Sequence, residues 1–234
     1  KLKRENIDLI AKSSKILSYK IGWPLYHSND IQSNIIIILQ GEARLLTKYE
    51  NKLITIAKLG IGSFVGIASL LRTSSCEQIN ASSEVKALII PNEIIIKVFE
   101  DEIEFNSWCK NTLHPSEVLD LATIIANRSP RSDINLRAAF NILIKNSQLE
   151  DYEEIKFLED KKYFIASSNF QGKEIGDLIE TKTNIDIMPP FSARVISIPS
   201  NIYYQFQEIK EYDSEDIPEN SLNSDNLEEK NIKF

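Results

Sequence analysis

The chain has 234 residues, of which 42% are hydrophobic, so it can build one large folded domain or two small ones. This composition excludes a wholly disordered chain. The longest aliphatic run, residues 35–39, is far shorter than the roughly 20 residues of a bilayer-spanning helix, and the chain opens without a signal-like segment. We therefore expect no direct membrane insertion by this segment.

The formal net charge of −7 is concentrated near the end of the chain. Residues 208–234 contain nine acidic residues and three lysines, so residues 1–207 are almost neutral. A nucleic-acid partner would need a clustered basic face, which the sequence lacks. Residues 208–234 also contain few large apolar residues, which predicts an acidic disordered linker. We expect no nucleic-acid partner.

Cysteine and histidine are too rare for a disulfide framework or a metal site. The chain contains only Cys76, Cys109, His27 and His114. This indicates a reducing, cytoplasmic setting and no metal or other cofactor. Because Glu77 follows Cys76, we expect an unreactive thiol, and we interpret His114 as a solvated turn residue. With no acid–base pair or nucleophilic triad to nominate, the sequence does not predict an enzyme.

The first third of the chain predicts short β-strands. Five of the seven glycines lie between Gly22 and Gly66, and they separate apolar runs at about ten-residue spacing. This pattern is typical of a sandwich or a jelly-roll barrel, and it predicts a mainly β fold with helices (α+β). The predicted strands are residues 16–19, 35–39, 43–46, 53–57 and 85–90.

A helix is predicted after the last of these strands. Pro91 ends the strand, Asn92 is the expected cap, and apolar residues continue at helical spacing to about Asn111. The acidic residues of this helix are interpreted as a solvated face and not as a cation site. They are Glu100, Asp101, Glu102 and Glu104.

Two linking helices are predicted within residues 115–148. Ser116 is the expected cap of the first, over residues 117–127, and Ser132 or Asp133 of the second. The second helix carries an apolar stripe, which favours burial in the core, with a partner-binding face as the alternative. The stripe consists of Leu136, Ala139, Phe140, Leu143 and Ile144.

Residues 149–207 form a second β-rich segment that echoes the first. A strand ending at Pro199 can be aligned with the strand ending at Pro91. The last two glycines have the same four-residue spacing as an earlier pair, and the alignment matches Gly176 with Gly66. We interpret this as a truncated structural repeat that forms a second, partial β-unit. An accident of isoleucine-rich composition is the alternative.

The order of elements over residues 15–112 resembles a cyclic-nucleotide-binding domain of the catabolite-activator type. The matching segments are residues 21–26, 35–46, 59–66 and 81–91. The resemblance implies a jelly-roll, or double-stranded β-helix, that forms a domain with its following helix over residues 1–114.

In that family a phosphate-binding cassette follows the second glycine of the Gly-turn-Gly segment. A Glu binds the ribose hydroxyl, and an Arg some eight residues later binds the cyclic phosphate beside N–H groups at a short helix start. In the corresponding segment, residues 66–78, Ile67 and Ser75 stand at those two positions. Losing both charge-assisted hydrogen bonds forfeits about 3 to 6 kcal/mol, so we expect no useful affinity for a cyclic nucleotide.

This degenerate cassette is the candidate ligand-binding site. Arg72 lies inside it and offers positive charge to a nucleotide or a small anion; the alternative is an exposed arginine at the end of a short helix. The candidate residues are Gly66, Ile67, Ala68, Ser69, Arg72, Ser74, Ser75 and Cys76.

A second resemblance concerns the setting of the domain. The cassette with residues 74–77, the helix end at 105–109 and the two-part β architecture look like the cytoplasmic N-terminal extension of cyanobacterial ABC exporters of the type I secretion and peptide-export class. Because the chain starts at Lys1 and not at a methionine, we interpret it as part of a longer protein. Its transmembrane and ATPase parts would follow the acidic segment.

These observations lead to a non-catalytic regulatory or docking domain of a membrane exporter. Its expected partner is the rest of the transporter or a second copy of the chain. The alternatives are a sensor that still binds a nucleotide or a small anion, and a transcription regulator of the same superfamily. The regulator is less well supported, because residues 128–210 predict β-structure and not a basic helix-turn-helix.

Overall fold

The computed structural model describes residues 2–49, 52–131, 133–182 and 185–207. The predicted acidic linker, residues 208–234, and the predicted cap Ser132 lie outside the described residues. Within the described part of the chain, every helix is too short or too polar to cross a bilayer.

The first half of the chain folds into a β-roll of two four-stranded antiparallel sheets. Its strands are Lys15–Tyr19 (β1), Pro24–Tyr26 (β2), Asn34–Gln40 (β3), Ala43–Tyr49 (β4), Lys52–Leu59 (β5), Phe64–Val65 (β6), Ile79–Ala81 (β7) and Val85–Pro91 (β8). One sheet has the order β1-β8-β3-β6 and the other β2-β7-β4-β5. Their inner faces share one apolar core. All five predicted strands are present.

Strand β3 explains the isoleucine run of the sequence. Successive side chains of a strand point to opposite faces. Ile36 and Ile38 face the core of the β-roll, whereas Ile35 faces a second apolar cluster formed with helices. A strand that is covered on both faces requires apolar residues at every position.

Seven helices are found among the described residues, and they cover the β-roll and extend it. They are Arg4–Ser13 (α1), Ile67–Leu71 (α2), Asn92–Asp101 (α3), Ile103–Asn111 (α4), Pro115–Arg128 (α5), Leu136–Asn146 (α6) and Ser200–Gln205 (α7). The short helix predicted in the cassette is α2. The sequence did not predict α1.

The helix predicted over residues 92–111 is in fact two helices. The backbone is extended at Glu102, whose carboxylate accepts hydrogen bonds from the backbone N of Lys3 at 2.6 Å and from Nδ2 of Asn6 at 2.8 Å. Glu102 is therefore buried, and its assignment to a solvated face was wrong. Asn92 is the first helical residue and not the cap; its side chain donates instead to the backbone O of Gln32 at 2.7 Å.

Helix α5 begins two residues before the predicted start. His114 is its N-cap residue and Pro115 its first helical residue, so Ser116 lies inside the helix. The carboxylate of Glu117 accepts a hydrogen bond from the backbone N of His114 at 3.0 Å. His114 is buried and not a solvated turn residue, and burial lowers its pKa to about 4.

Helix α6 has a different cap from those predicted. The side chain of Asn135 accepts a hydrogen bond from the backbone N of Ala138 at 3.0 Å, whereas Asp133 pairs with Arg131. The predicted apolar stripe lies in or against the main core. Both helices thus contribute to the same core as the β-roll.

The second β-rich segment forms a third four-stranded antiparallel sheet. Its strands are Gln148–Asp151 (β9), Lys161–Ile165 (β10), Leu178–Ile179 (β11) and Arg194–Pro199 (β12), in the order β11-β10-β12-β9. Phe164 and Ile196 on one face join the main core. Ile165 and Val195 on the other face join a smaller apolar cluster of the same segment.

This sheet repeats the topology of the first one. In both, the edge strand that follows a helix (β1 after α1, β9 after α6) pairs with the last strand, and that strand ends at a proline before a helix. The order β11-β10-β12-β9 matches β6-β3-β8-β1 strand for strand. Among the described residues, the second unit has no counterpart of the β2-β7-β4-β5 sheet.

The glycines of the repeat align differently from the prediction. The backbone N of Gly176 donates to the O of Ile165 at 2.7 Å, and the backbone N of Gly62 donates to the O of Ile38 at 2.8 Å. Ile165 and Ile38 are at equivalent positions in the two sheets, so Gly176 corresponds to Gly62 and not to Gly66. Equal spacing between glycines does not fix register, because the chain between them is folded differently in the two units.

A buried ion pair fixes the second unit to the β-roll. The Arg194 guanidinium on β12 donates to both carboxylate oxygens of Glu117 on α5, each at 2.7 Å, and also to the backbone O of Cys109 at 2.8 Å. Both side chains are almost completely buried. Burial alone would raise the pKa of Glu117, but the charge of Arg194 together with the hydrogen bonds from Arg194 and His114 outweighs burial and lowers that pKa. The pair joins β12, α4 and α5.

We predict that Arg194→Met lowers the free energy of unfolding by about 3 to 5 kcal/mol, because it leaves the Glu117 carboxylate buried without a partner. The double variant Arg194→Met/Glu117→Leu should recover most of that loss. Urea unfolding measures both. As a control, Lys58→Ala removes an exposed pair with Glu42 and should cost at most about 1 kcal/mol. A double variant as unstable as Arg194→Met would contradict this account.

Candidate functional site

The cassette of residues 66–78 is organised around a carboxylate of the chain itself. Oε1 of Glu77 accepts a hydrogen bond from the backbone N of Gly66 at 2.9 Å. Oε2 accepts one from the backbone N of Ser69 at 3.1 Å and another from the Ser69 hydroxyl at 2.7 Å. Glu77 is only 3% exposed. A buried carboxyl group of the chain itself therefore accepts hydrogen bonds from the N–H groups at the start of α2.

The cassette can form only because residue 66 is glycine. Gly66 has φ of +90°, and a Cβ atom at this position would lie 2.5 Å from the ring of Tyr26. Tyr26 is fully buried, and its hydroxyl accepts a hydrogen bond from the backbone N of Gln32 at 3.0 Å. Burial raises the pKa of Tyr26 to about 12. The Gly66 turn is thus closed against a rigid, neutral ring.

Two opposing effects act on the Glu77 carboxylate. Burial favours the neutral form and raises the pKa of Glu77, while the hydrogen bonds from Ser69 and Gly66 favour the charged form. Burial is the larger effect, so the pKa of Glu77 stays above its ordinary value.

Arg72 is neither exposed nor open to the cassette. It is 1% exposed, and its Nη2 atom donates to Oδ2 of Asp120 on α5 at 2.6 Å. Its Nε and Nη1 atoms are buried and have no hydrogen-bond partner in the described part of the chain. The alternative of an exposed arginine was wrong, because α5 packs over the end of α2.

The other predicted site residues separate into two groups. Ile67 and Ala68 are fully buried, and Ile67 packs in the apolar cluster that includes Ile35. The backbone N of Cys76 donates to the Ser69 hydroxyl at 3.2 Å, and burial raises the pKa of the Cys76 thiol to about 12 despite the opposing charge of Arg72. Ser69 and Cys76 therefore lie beside Glu77, whereas Ile67 and Ala68 are core residues.

The two remaining serines contribute little to this arrangement. The Ser75 hydroxyl lies 3.5 Å from the backbone O of His27, and the backbone N of Ser74 donates to the O of Ser69 at 3.2 Å. The residues that sequence reasoning missed are Glu77 and Asp120. An acid inside a segment that normally binds an anion was the available signal for Glu77. The sequence held no signal for Asp120, because its partner Arg72 is distant along the chain.

A metal does not explain this site. Among the residues that the structure describes, no three His, Cys, Asp or Glu side chains come close enough to hold a metal ion. The chemistry that the cassette offers is hydrogen-bond donation to one carboxylate.

Comparison with known proteins supports the fold of the β-roll. Residues 16–102 match the sequence model of the cyclic nucleotide-binding domain family. The β-roll has the cyclic nucleotide-binding fold, so the expected α+β class is confirmed. No functionally curated protein has a significantly similar sequence.

Three solved structures are similar to part of this chain at low sequence identity. A cyclic nucleotide-binding-like protein from Brucella abortus is 22% identical over 42% of this chain and 85% of its own, with a TM-score of 0.38. A transcriptional regulator from Thermotoga maritima is 17% identical over 44% and 82%, with a TM-score of 0.39. The catabolite activator protein of Thermus thermophilus is 17% identical over 62% and 83%, with a TM-score of 0.37.

We predict that Glu77→Gln lowers the free energy of unfolding by about 1 to 3 kcal/mol, because an amide nitrogen cannot accept the bonds of Ser69. Since the folded-state pKa of Glu77 is raised, the folded protein holds its proton longer than the unfolded chain does. The loss of unfolding free energy in the variant should therefore be larger at about pH 4 than at about pH 8.

Urea unfolding of both proteins across this pH range measures the effect. Glu93→Gln, at an exposed position, is the matched control and should change stability by less than about 0.5 kcal/mol. Equal effects of the two substitutions would contradict the role of Glu77.

Proposed function

We propose that this chain is a non-catalytic docking or regulatory module, built on the cyclic nucleotide-binding fold, whose cassette is filled from within. The observation that carries the proposal is the set of hydrogen bonds from Gly66 and Ser69 to Glu77. A module of this kind holds its shape without a nucleotide. Such a module acts by presenting a surface to which a partner binds.

Competition with Glu77 is the main obstacle to the binding of a nucleotide in the cassette. A cyclic phosphate bound to the N–H groups of α2 would have to displace a buried carboxylate or share the site with it. While Glu77 is ionised, its charge and that of the phosphate repel strongly in a buried site. Ile67 and Ser75 also lack the charged groups that the family resemblance assigns to the ribose and the phosphate. The three features act in the same direction.

The exporter setting is part of the proposal. It is supported by the order of motifs, by the second β-unit joined to the β-roll through Arg194 and Glu117, and by the acidic segment that follows Gln207. In this setting the module lies on the cytoplasmic side of a membrane protein. Its partner is another part of the transporter or a second copy of the chain.

A sensor for a nucleotide or a small anion is the second candidate. The unpartnered Nε and Nη1 atoms of Arg72 favour it, because a buried guanidinium with free donors can bind an anion. For that, the ligand must reach a side chain that is 1% exposed and already bonded to Asp120. The titration below separates the two functions.

We predict that isothermal titration calorimetry detects no saturable binding of cyclic AMP or cyclic GMP with Kd below about 1 mM. The double variant Glu77→Ala/Ser75→Arg removes the internal anion and supplies the missing cation, so it should bind cyclic AMP at least about tenfold more tightly than the natural chain. Ser75→Arg alone supplies the same cation but keeps Glu77, so it is the control and should bind no better.

Saturable binding of a cyclic nucleotide to the natural chain near about 10 µM would overturn the proposal in favour of the sensor.

A further inference from the structure

A second cleft lies away from the cassette, where the β-roll meets α4 and α5. Its walls are mainly apolar and aromatic, with two polar side chains. It is lined by Leu59, Ser63, Phe64, Trp108, His114 and Pro115. A small apolar pocket with a few polar groups is the usual form of a ligand site.

The aromatic wall of the cleft is well ordered by ring packing. The ring of Trp108 lies 5.2 Å from that of Phe64 and 5.7 Å from that of His114, measured between centroids, and the His114 contact is edge-to-face. Phe105 stacks on Trp108 at 5.7 Å. The rings join the β-roll to α4 and to the start of α5, so the shape of the cleft is fixed by three elements.

His114 supplies an unused hydrogen-bonding atom at this wall. It is 8% exposed, and its Nε2 atom is buried without a partner in the described part of the chain. An unpartnered buried polar atom is unfavourable, so a ligand that forms a hydrogen bond with it gains affinity. The acid near it, Glu117, is already paired with Arg194. The charges around the ring therefore balance one another.

Size and charge define the occupant. The cleft has a water-accessible volume of about 30 Å³ within an open space of about 320 Å³. One water molecule needs roughly 10 to 15 Å³ on this measure, so the enclosed part of the cleft has room for a hydroxyl group and not for a ring, which would lie in the open space against the aromatic wall. Burial lowers the pKa of His114 to about 4, so the imidazole is neutral near pH 7 and does not attract an anion. The walls favour an uncharged aromatic ring.

We propose that this cleft binds a small uncharged aromatic molecule that carries a hydroxyl group, with the ring against Trp108 and Phe64 and the hydroxyl bonded to Nε2 of His114. The Ser63 hydroxyl offers a second polar contact in the same cleft. The site is independent of the cassette, and it stands whether or not the cassette binds a nucleotide.

The chain contains its own reporters for this site. It has two tryptophans and two histidines, and one of each lies in the cleft. The other two, Trp23 and His27, are exposed elsewhere. In a proton NMR titration with phenol, we expect the Trp108 indole N–H and the His114 ring signals to shift saturably while those of Trp23 and His27 stay in place.

Toluene is the matched ligand, because it has a ring of similar size without the hydroxyl group. One net hydrogen bond corresponds to about a fivefold difference in Kd, so phenol should bind about fivefold more tightly than toluene. In His114→Phe the affinities for phenol and toluene should become equal. The control His27→Phe should leave the ratio of the two affinities unchanged.

Failure of phenol at about 10 mM to shift the Trp108 and His114 signals would overturn the proposal. So would equal movement of all four reporters, which indicates non-specific contact, or equal affinity for phenol and toluene in the natural chain. If His114→Phe does not fold, the phenol-to-toluene ratio of the natural chain decides the question by itself.

Discussion

The bidentate bond between Arg194 and Glu117 is the contact on which the arrangement of this protein depends. It places a strand of the second sheet against the first turn of α5, with both charges away from water. One helical turn further along α5, Asp120 receives Arg72 from the end of α2. Residues three apart lie on one face of a helix, so α5 presents two carboxylates to two arginines from different parts of the chain. Helix α5 thus fixes the second unit and the cassette relative to each other.

This arrangement changes what the cassette can do. In a site that binds a phosphate, N–H groups and a guanidinium are free to meet a ligand. Here the guanidinium of Arg72 bonds Asp120, and the N–H groups of Gly66 and Ser69 bond Glu77. The polar groups of the cassette are used to hold the fold together, and the turn is ordered before any ligand arrives. In the function that we propose, a fold associated with nucleotide binding thereby has a constant structural role.

The sequence predicted those features that depend on local rules, and it missed those that depend on distant contacts. The spacing of glycine and proline residues predicted the strands of the β-roll, and the strand that ends at Pro199 predicted the second unit. The break at Glu102 was missed because its partners lie near the beginning of the chain. The exposure assigned to Arg72 failed because burial depends on α5, which is distant in sequence. Glu77 went unnoticed as a ligand because the family pattern directs attention to the residues that bind nucleotide, and not to one that replaces it.

In this structure the Glu77 carboxyl group accepts the hydrogen bonds of the N–H groups of the cassette. The most direct measurement is an NMR pH titration that follows the backbone amide signals of Gly66 and Ser69 together with the side-chain carboxyl carbon of Glu77. We expect all three signals to titrate with one common pKa, above that of an exposed glutamate, and we expect about 1 mM cyclic AMP to leave the curves unchanged. Amide signals that ignore the titration of Glu77 and instead move saturably with cyclic AMP would contradict this expectation.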